Sequence, residues 1–167
     1  VILLAIDPGS AETAWVKIER ETGRICGKEI VENDAFRLQL WRREIDGYDR
    51  IALEYFQPRG MPTAAEEMDT IFWSGRFIEA AGRDWDKVFR MQEKISICGH
   101  GSATDSNIST ALRDMYGGQK EAKGLKASPG PLYGFKDDLW AALAIGVTWF
   151  RRNGSPEWVP NLEEIRK

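Results

Sequence analysis

Five consecutive apolar residues, Ile2 to Ile6, end abruptly at Asp7-Pro8-Gly9-Ser10. A run so short and so uniformly apolar has no polar face to give to water. It reads as a strand buried on both sides, at the centre of a sheet with helices over it. The turn residues stop the strand and leave one carboxylate at its carboxyl end. Thr13 to Glu19 alternates, with Ala14, Val16 and Ile18 on one face. Thr22-Gly23 turns the chain, and Arg24 to Glu32 reads as the third strand of an antiparallel meander.

The remaining segments supply the layers. Asn33 or Asp34 can cap a helix running to about Ile45, stopped at Asp46-Gly47. Arg50 to Phe56 is the next strand; with a helix between, it can pair parallel to the first. Thr63-Ala64-Ala65-Glu66 has the form of a capping box. It opens a helix with Met68, Ile71, Phe72, Gly75 and Ile78 at helical spacing, ending near Gly82. Lys87 to Gln92 reads as a fifth strand and Cys98 to Ser106 as a Gly/Ser/Thr/Asp loop. Thr104 or Asp105 then caps a helix carrying Ile108, Ala111, Leu112 and Met115, ended by Gly117-Gly118. Gln119 to Phe135, with its lysines, glycines and prolines, reads as a mobile stretch. Asp137 to Arg151 is the last strong helix, and a short polar tail follows Asn153-Gly154. The order predicts an α/β protein, a mixed five-stranded sheet flanked by helices, formed by residues 1–167 as one domain.

Charge and composition narrow the setting. No apolar run is long enough to span a bilayer, and no signal-peptide pattern is visible. Cys26 and Cys98 form no CxxC pair and read as reduced thiols of a cytoplasmic protein. The net charge of −3 hides an asymmetry: residues 90–136 hold 7 Lys/Arg against 4 Asp/Glu, whereas residues 1–89 hold 12 against 17. The local basic excess allows a nucleic-acid partner in spite of the overall acidity.

Four carboxylates can carry chemistry. Asp7 and Glu54 close two strands that can be parallel neighbours, so both emerge at the carboxyl edge of the sheet, where α/β proteins place ligands. Asp137 and Asp138 open the last helix, which can bring its first turn to the same edge. Converging carboxylates repel unless a cation holds them. Oxygen-only donors select Mg²⁺ or Mn²⁺, and two such ions suit phosphodiester hydrolysis. Taken singly, each acid also reads as a turn, strand-end or helix-start residue.

Ile6-Asp7-Pro-Gly-Ser, Ala52-Leu-Glu54-Tyr-Phe and Lys136-Asp-Asp138-Leu-Trp-Ala-Ala-Leu-Ala-Ile together resemble the motifs of RuvC-type Holliday junction resolvases. Lys94-Ile-Ser-Ile-Cys-Gly99-His-Gly101-Ser-Ala resembles a further stretch of that family, and the likeness spans roughly residues 1–150. The resemblance implies a ribonuclease-H-like fold and a homodimer that cuts opposing strands of a four-way DNA junction with divalent ions, in a bacterial or phage-infected cell. It carries catalytic and metal-binding roles onto Asp7, Glu54 and Asp138. The family's further acid, three residues along the last helix, is Ala141 here, which leaves Asp137 as the substitute. A protein of the same fold that holds branched DNA without cutting is the alternative.

The expected DNA surface follows from position. Tyr55 and Phe56 beside Glu54 can stack on unpaired bases or serve as core, and Arg59 is placed to meet a phosphate. Gly99 and Gly101 offer backbone N–H groups before a helix start. Lys94, Lys120, Lys123, Lys126 and Lys136 supply positive charge.

Overall fold

The computed structural model describes residues 1–58, 60 and 62–166. Strands β1 (Ile2–Pro8), β2 (Glu12–Glu19) and β3 (Ile25–Glu32) form the antiparallel meander. Helix α1 (Asn33–Trp41) crosses over, so that β4 (Arg50–Glu54) returns parallel to β1. Helix α2 (Ala65–Ala81) repeats the crossover, and β5 (Trp85–Val88) lies parallel to β4. The sheet order is β3-β2-β1-β4-β5. The mixed five-stranded sheet predicted from the segment order is the one found.

Side-chain alternation along β1 divides the interior. Leu4 and Ile6 point into a cluster under α1 and α2, where Phe36 meets Phe77 edge-on at 4.8 Å. Leu3 and Ala5 point the other way. There they meet α5 (Leu139–Arg152), which packs on β1 and β2 and is buried from Ala142 to Phe150. A strand apolar on both faces has thus found the two layers it requires. Among the described residues no helix is long and apolar enough to cross a membrane.

Several expectations are corrected. The first helix stops at Trp41 rather than near Ile45, because Arg43 turns left-handed (φ 56°) and Ile45 enters the core from the loop. The N-cap of α2 is Ala64, not Thr63, and Glu67 rather than Glu66 accepts the hydrogen bond from its backbone N–H at 2.8 Å. The fifth strand ends at Val88. Phe89 then caps a helix absent from the sequence reading, α3 (Arg90–Cys98), with its N–H donating to Gln92 at 3.0 Å.

The stretch Gln119–Phe135, read as mobile, is folded. After α4 (Asp105–Met115) it forms a small hairpin of β6 (Gly124–Leu125) and β7 (Ser128–Pro129). Fully buried Ala122 and Leu132 tie the hairpin to the core. A last short helix, α6 (Leu162–Ile165), follows in the tail.

The carboxyl end of α5 grips α3 and β5. Arg151 donates to the Ser96 carbonyl, and Arg152 donates to the Lys87 carbonyl at 3.1 Å and to Gln92 at 2.8 Å. Asp86 accepts from Trp149 on α5 at 2.8 Å and from Arg50 on β4 at 2.9 Å.

Gly146 is where α5 comes closest to the sheet. A Cβ there would press on Ile18 and stand 3.4 Å from the Ala5 Cβ. Overpacking of this kind costs about 1–3 kcal/mol. Gly146→Leu is therefore expected to lower the urea midpoint by that equivalent; an unchanged midpoint would mean that α5 can ride further from the sheet.

Candidate active site

The parallel register of β1 and β4 pairs Ile6 with Leu53, so the next residues, Asp7 and Glu54, stand side by side at the carboxyl ends of the two strands. The turn after Asp7 is held from below. Buried Asn33 donates from its side chain to the Gly9 carbonyl at 3.0 Å, and the Thr13 hydroxyl donates to Asn33 Oδ1 at 2.6 Å. Gly9 is needed for space, since a Cβ would strike the Glu12 carbonyl oxygen. Asp138 is the N-cap of α5 and exposed, and docking of α5 on β1 brings it to the same edge.

Asp7 and Glu54 are hydrogen-bonded carboxyl to carboxyl. Burial first, then the charges of Glu54 and Asp138, push the Asp7 carboxyl well above its ordinary range, with Arg90 opposing them. The like charges meet as the sequence predicted. Asp137 lies outside the helix in a left-handed conformation (φ 42°), which Asp tolerates better than most residues. Asp137 and Asp138 are therefore not successive residues of one helix face.

Two residues of this site escaped the sequence reading, and both stand on α3. Arg90 donates to Glu93 at 2.6 Å and also pairs with Asp105. Against burial, which works the other way, Glu93, Glu54 and Asp105 hold the guanidinium in its charged form. Glu93 is fully buried, and burial followed by the charge of Glu54 raises its carboxyl well above the usual range. Arg90, Asp105, Asp137, Asp138, Trp140 and Ala141 line a cleft of about 290 Å³.

Among the described residues no three His, Cys, Asp or Glu side chains stand ready-made around one ion position. The donor set nonetheless fits a hard divalent cation: it is all oxygen, and its buried like charges lack enough positive charge to hold them together.

The expected DNA contacts are scattered. Tyr55 is half-buried against Trp85 and Phe89, with the Lys87 ammonium 4.0 Å above its ring, and Phe56 is half-buried beside it. Arg59 lies outside the described residues. Lys94 is half-buried on α3. Gly99 is the C-cap of that helix (φ 81°), and Gly101 lies against Met91. Lys136 is exposed two residues before Asp138.

Lys120, Lys123 and Lys126 are exposed, but the fold does not bring this stretch to the carboxylates. Lys120 and Leu125 share a cleft with Arg24 and Ile25. Those residues belong to the sheet end where Glu19 pairs with Ile2, opposite the end where Asp7 pairs with Ala14.

The raised carboxyls have a consequence for stability. Their folded values lie above the unfolded values of about 4, so the folded chain binds more protons. That contribution is fully present below about pH 4 and is lost as pH rises through the raised values. In chelator, Asp7→Asn is expected to stabilise the protein by about 1–2 kcal/mol at neutral pH, as substitutions at a strained active site do. The gain should grow as pH rises above about 4 and through the raised range over which the Asp7 carboxyl loses its proton. A pH-independent difference in denaturant midpoint contradicts this account of Asp7.

No family model matches the chain, and no curated protein matches its sequence. Solved structures do match. Thermus thermophilus RuvC aligns over 92% of this chain and 96% of its own, at 18% identity and a TM-score of 0.68. T. thermophilus RuvC in complex with a Holliday junction substrate aligns over 93% and 97%, at 18% identity and a TM-score of 0.66. By its fold, the chain is RuvC-like, with the sheet and flanking helices of the ribonuclease-H-like class.

Proposed function

We propose that the chain is a divalent-cation-dependent endodeoxyribonuclease that resolves Holliday junctions and other branched DNA by paired phosphodiester hydrolysis. The observation that carries this reading is the meeting of Asp7, Glu54 and Asp138 at the carboxyl edge of a parallel strand pair in a RuvC-like fold. One of the structures it resembles is a RuvC bound to a Holliday junction substrate. Both cysteines are free thiols, which suits the cytoplasm of a bacterium or phage-infected cell.

Asp7, Glu54 and Asp138 are the residues to hold Mg²⁺ or Mn²⁺, two ions per site. When bound, the ions supply the Lewis acidity that phosphodiester hydrolysis needs. The chain's own contribution is placement: β1 and β4 fix two carboxylates in register, and α5 sets the third against them. Lys136 and Lys94 bring positive charge to this end of the molecule for the phosphate backbone, and Tyr55 and Phe56 border the site as apolar surface for bases.

A symmetric dimer would place two such sites on one junction. Helix α2 supports it, with Met68, Ile71 and Phe72 exposed on one side and Phe77 in the core on the other. Phe77 is buried in the core and is left out of that surface. The wild-type protein is expected to run as a dimer in native mass spectrometry, and Met68→Glu with Phe72→Glu to run as a monomer; a monomeric wild type that still cuts both strands removes the dimer from the proposal.

A non-cleaving junction binder is the second reading, favoured by Ala141 in the cleft where the family resemblance leads one to expect an acid. A panel of four-way junction, flap, fork and duplex, with and without Mn²⁺, separates the two. Cutting of the junction is expected. Asp7→Asn, Glu54→Gln and Asp138→Asn should each reduce it by about a thousand-fold or more while junction binding persists, and Asp137→Asn by less than about ten-fold. Binding without cutting by the wild type would establish the second reading. A reversed order of the two helix-start aspartates would overturn the assignment of Asp138.

A further inference from the structure

Among the described residues, Glu93 is the one acid at this end of the sheet that is wholly enclosed, with none of its surface exposed. Its Oε2 accepts from Arg90 at 2.6 Å. Its Oε1 is buried and has no hydrogen-bond partner among the described residues. Arg90 itself is shared with Asp105. An ionised carboxylate has about four acceptor positions, so one shared guanidinium leaves Glu93 far from satisfied. Among the described residues no positive charge relieves that second oxygen, and after burial the charge of Glu54, with a smaller share from Asp7, works against its ionisation. A buried carboxylate left in this condition needs a proton or a cation. Across the cleft Ala141 offers no oxygen, so nothing on α5 beyond Asp138 completes the donor set there.

We propose that Glu93 is the fourth carboxylate of the cation site, with Arg90 as the internal positive charge that neutralises it until a divalent ion arrives. The proposal rests on the nuclease reading only for the existence of a cation site at Asp7 and Glu54. It places the missing ligand on α3 instead of α5. Arg90 turns to Asp105 as the ion takes over Glu93, so Asp105 is the residue that keeps Arg90 partnered in the loaded state.

The test is Mn²⁺ titration of the DNA-free protein, followed by the electron paramagnetic resonance signal of free Mn²⁺, so that no cleavage is required. Glu93→Gln keeps the side-chain shape and is expected to weaken Mn²⁺ binding by about ten-fold or more, the scale of losses at metal sites. Glu54→Gln is run alongside. If both variants weaken binding, Glu93 belongs to the site. If only Glu54→Gln does, the cation site stands and the role given to Glu93 is overturned. If neither does, the cation site itself fails, and the proposal with it.

Arg90→Gln gives a second measurement should Glu93→Gln fold poorly. Removing the competing guanidinium is expected to enlarge the rise in melting temperature that Mn²⁺ produces. An equal loss of stability with and without Mn²⁺ would show that the Arg90–Glu93 contact is a structural ion pair, and would overturn the proposal.

Discussion

Parallel hydrogen bonding between β1 and β4 forces Asp7 and Glu54 together, since Leu3 to Ile6 pair in strict register with Arg50 to Leu53 and both strands end in acid. Neither carboxylate can withdraw without breaking ladder bonds at the centre of the sheet. Leu3 to Ile6 and Ile51 to Leu53 are apolar and buried, so a slip of one residue would drive a charge into the core and turn every side chain to the wrong face. The hydrophobic pattern that makes β1 the central strand is therefore also what holds two like charges at its end. The other features of that end of the molecule follow: an Asp7 carboxyl held above its ordinary range, an arginine drawn in from α3, and a donor set suited to a hard cation.

The sequence made the sheet legible because its strands carry the two plain signals, an unbroken apolar run in β1 and alternation in β2. Asp7, Glu54 and Asp138 could be placed at one edge before any coordinates, since strand order and crossover handedness leave few other arrangements. Helix α3 was not legible, and the reason is specific. Its inward stripe is Phe89, Glu93 and Ile97, four residues apart, and the middle position is a charged residue. A periodicity reading counts glutamate as outward and sees no helix. The one signal left was Gln92, three residues after Phe89, in the capping position.

The basic stretch from Lys120 to Lys126 shows the converse limit. Composition predicted a loose segment beside the acids, but Ala122 and Leu132 are small and medium apolar residues that anchor a hairpin, and topology carries it to the far end of β2. Linear nearness to Asp137 and Asp138 said nothing about which end of the sheet the lysines reach, because α5 and the segment before it run along the sheet rather than across its edge.

Helix α5 touches the candidate site twice, through Asp138 at its first turn and, at its last, through Arg151 and Arg152 on α3 and β5. Those two contacts make it a ruler. The spacing between Asp138 and the α3 side chains is indexed to one continuous rod and not to the chain that joins the two helices. Residues 117–135 can therefore lengthen, shorten or exchange their hairpin for another without retuning the distance between carboxylates. That stretch is free to diverge while the part that must keep its geometry is measured out by backbone hydrogen bonds inside a single helix.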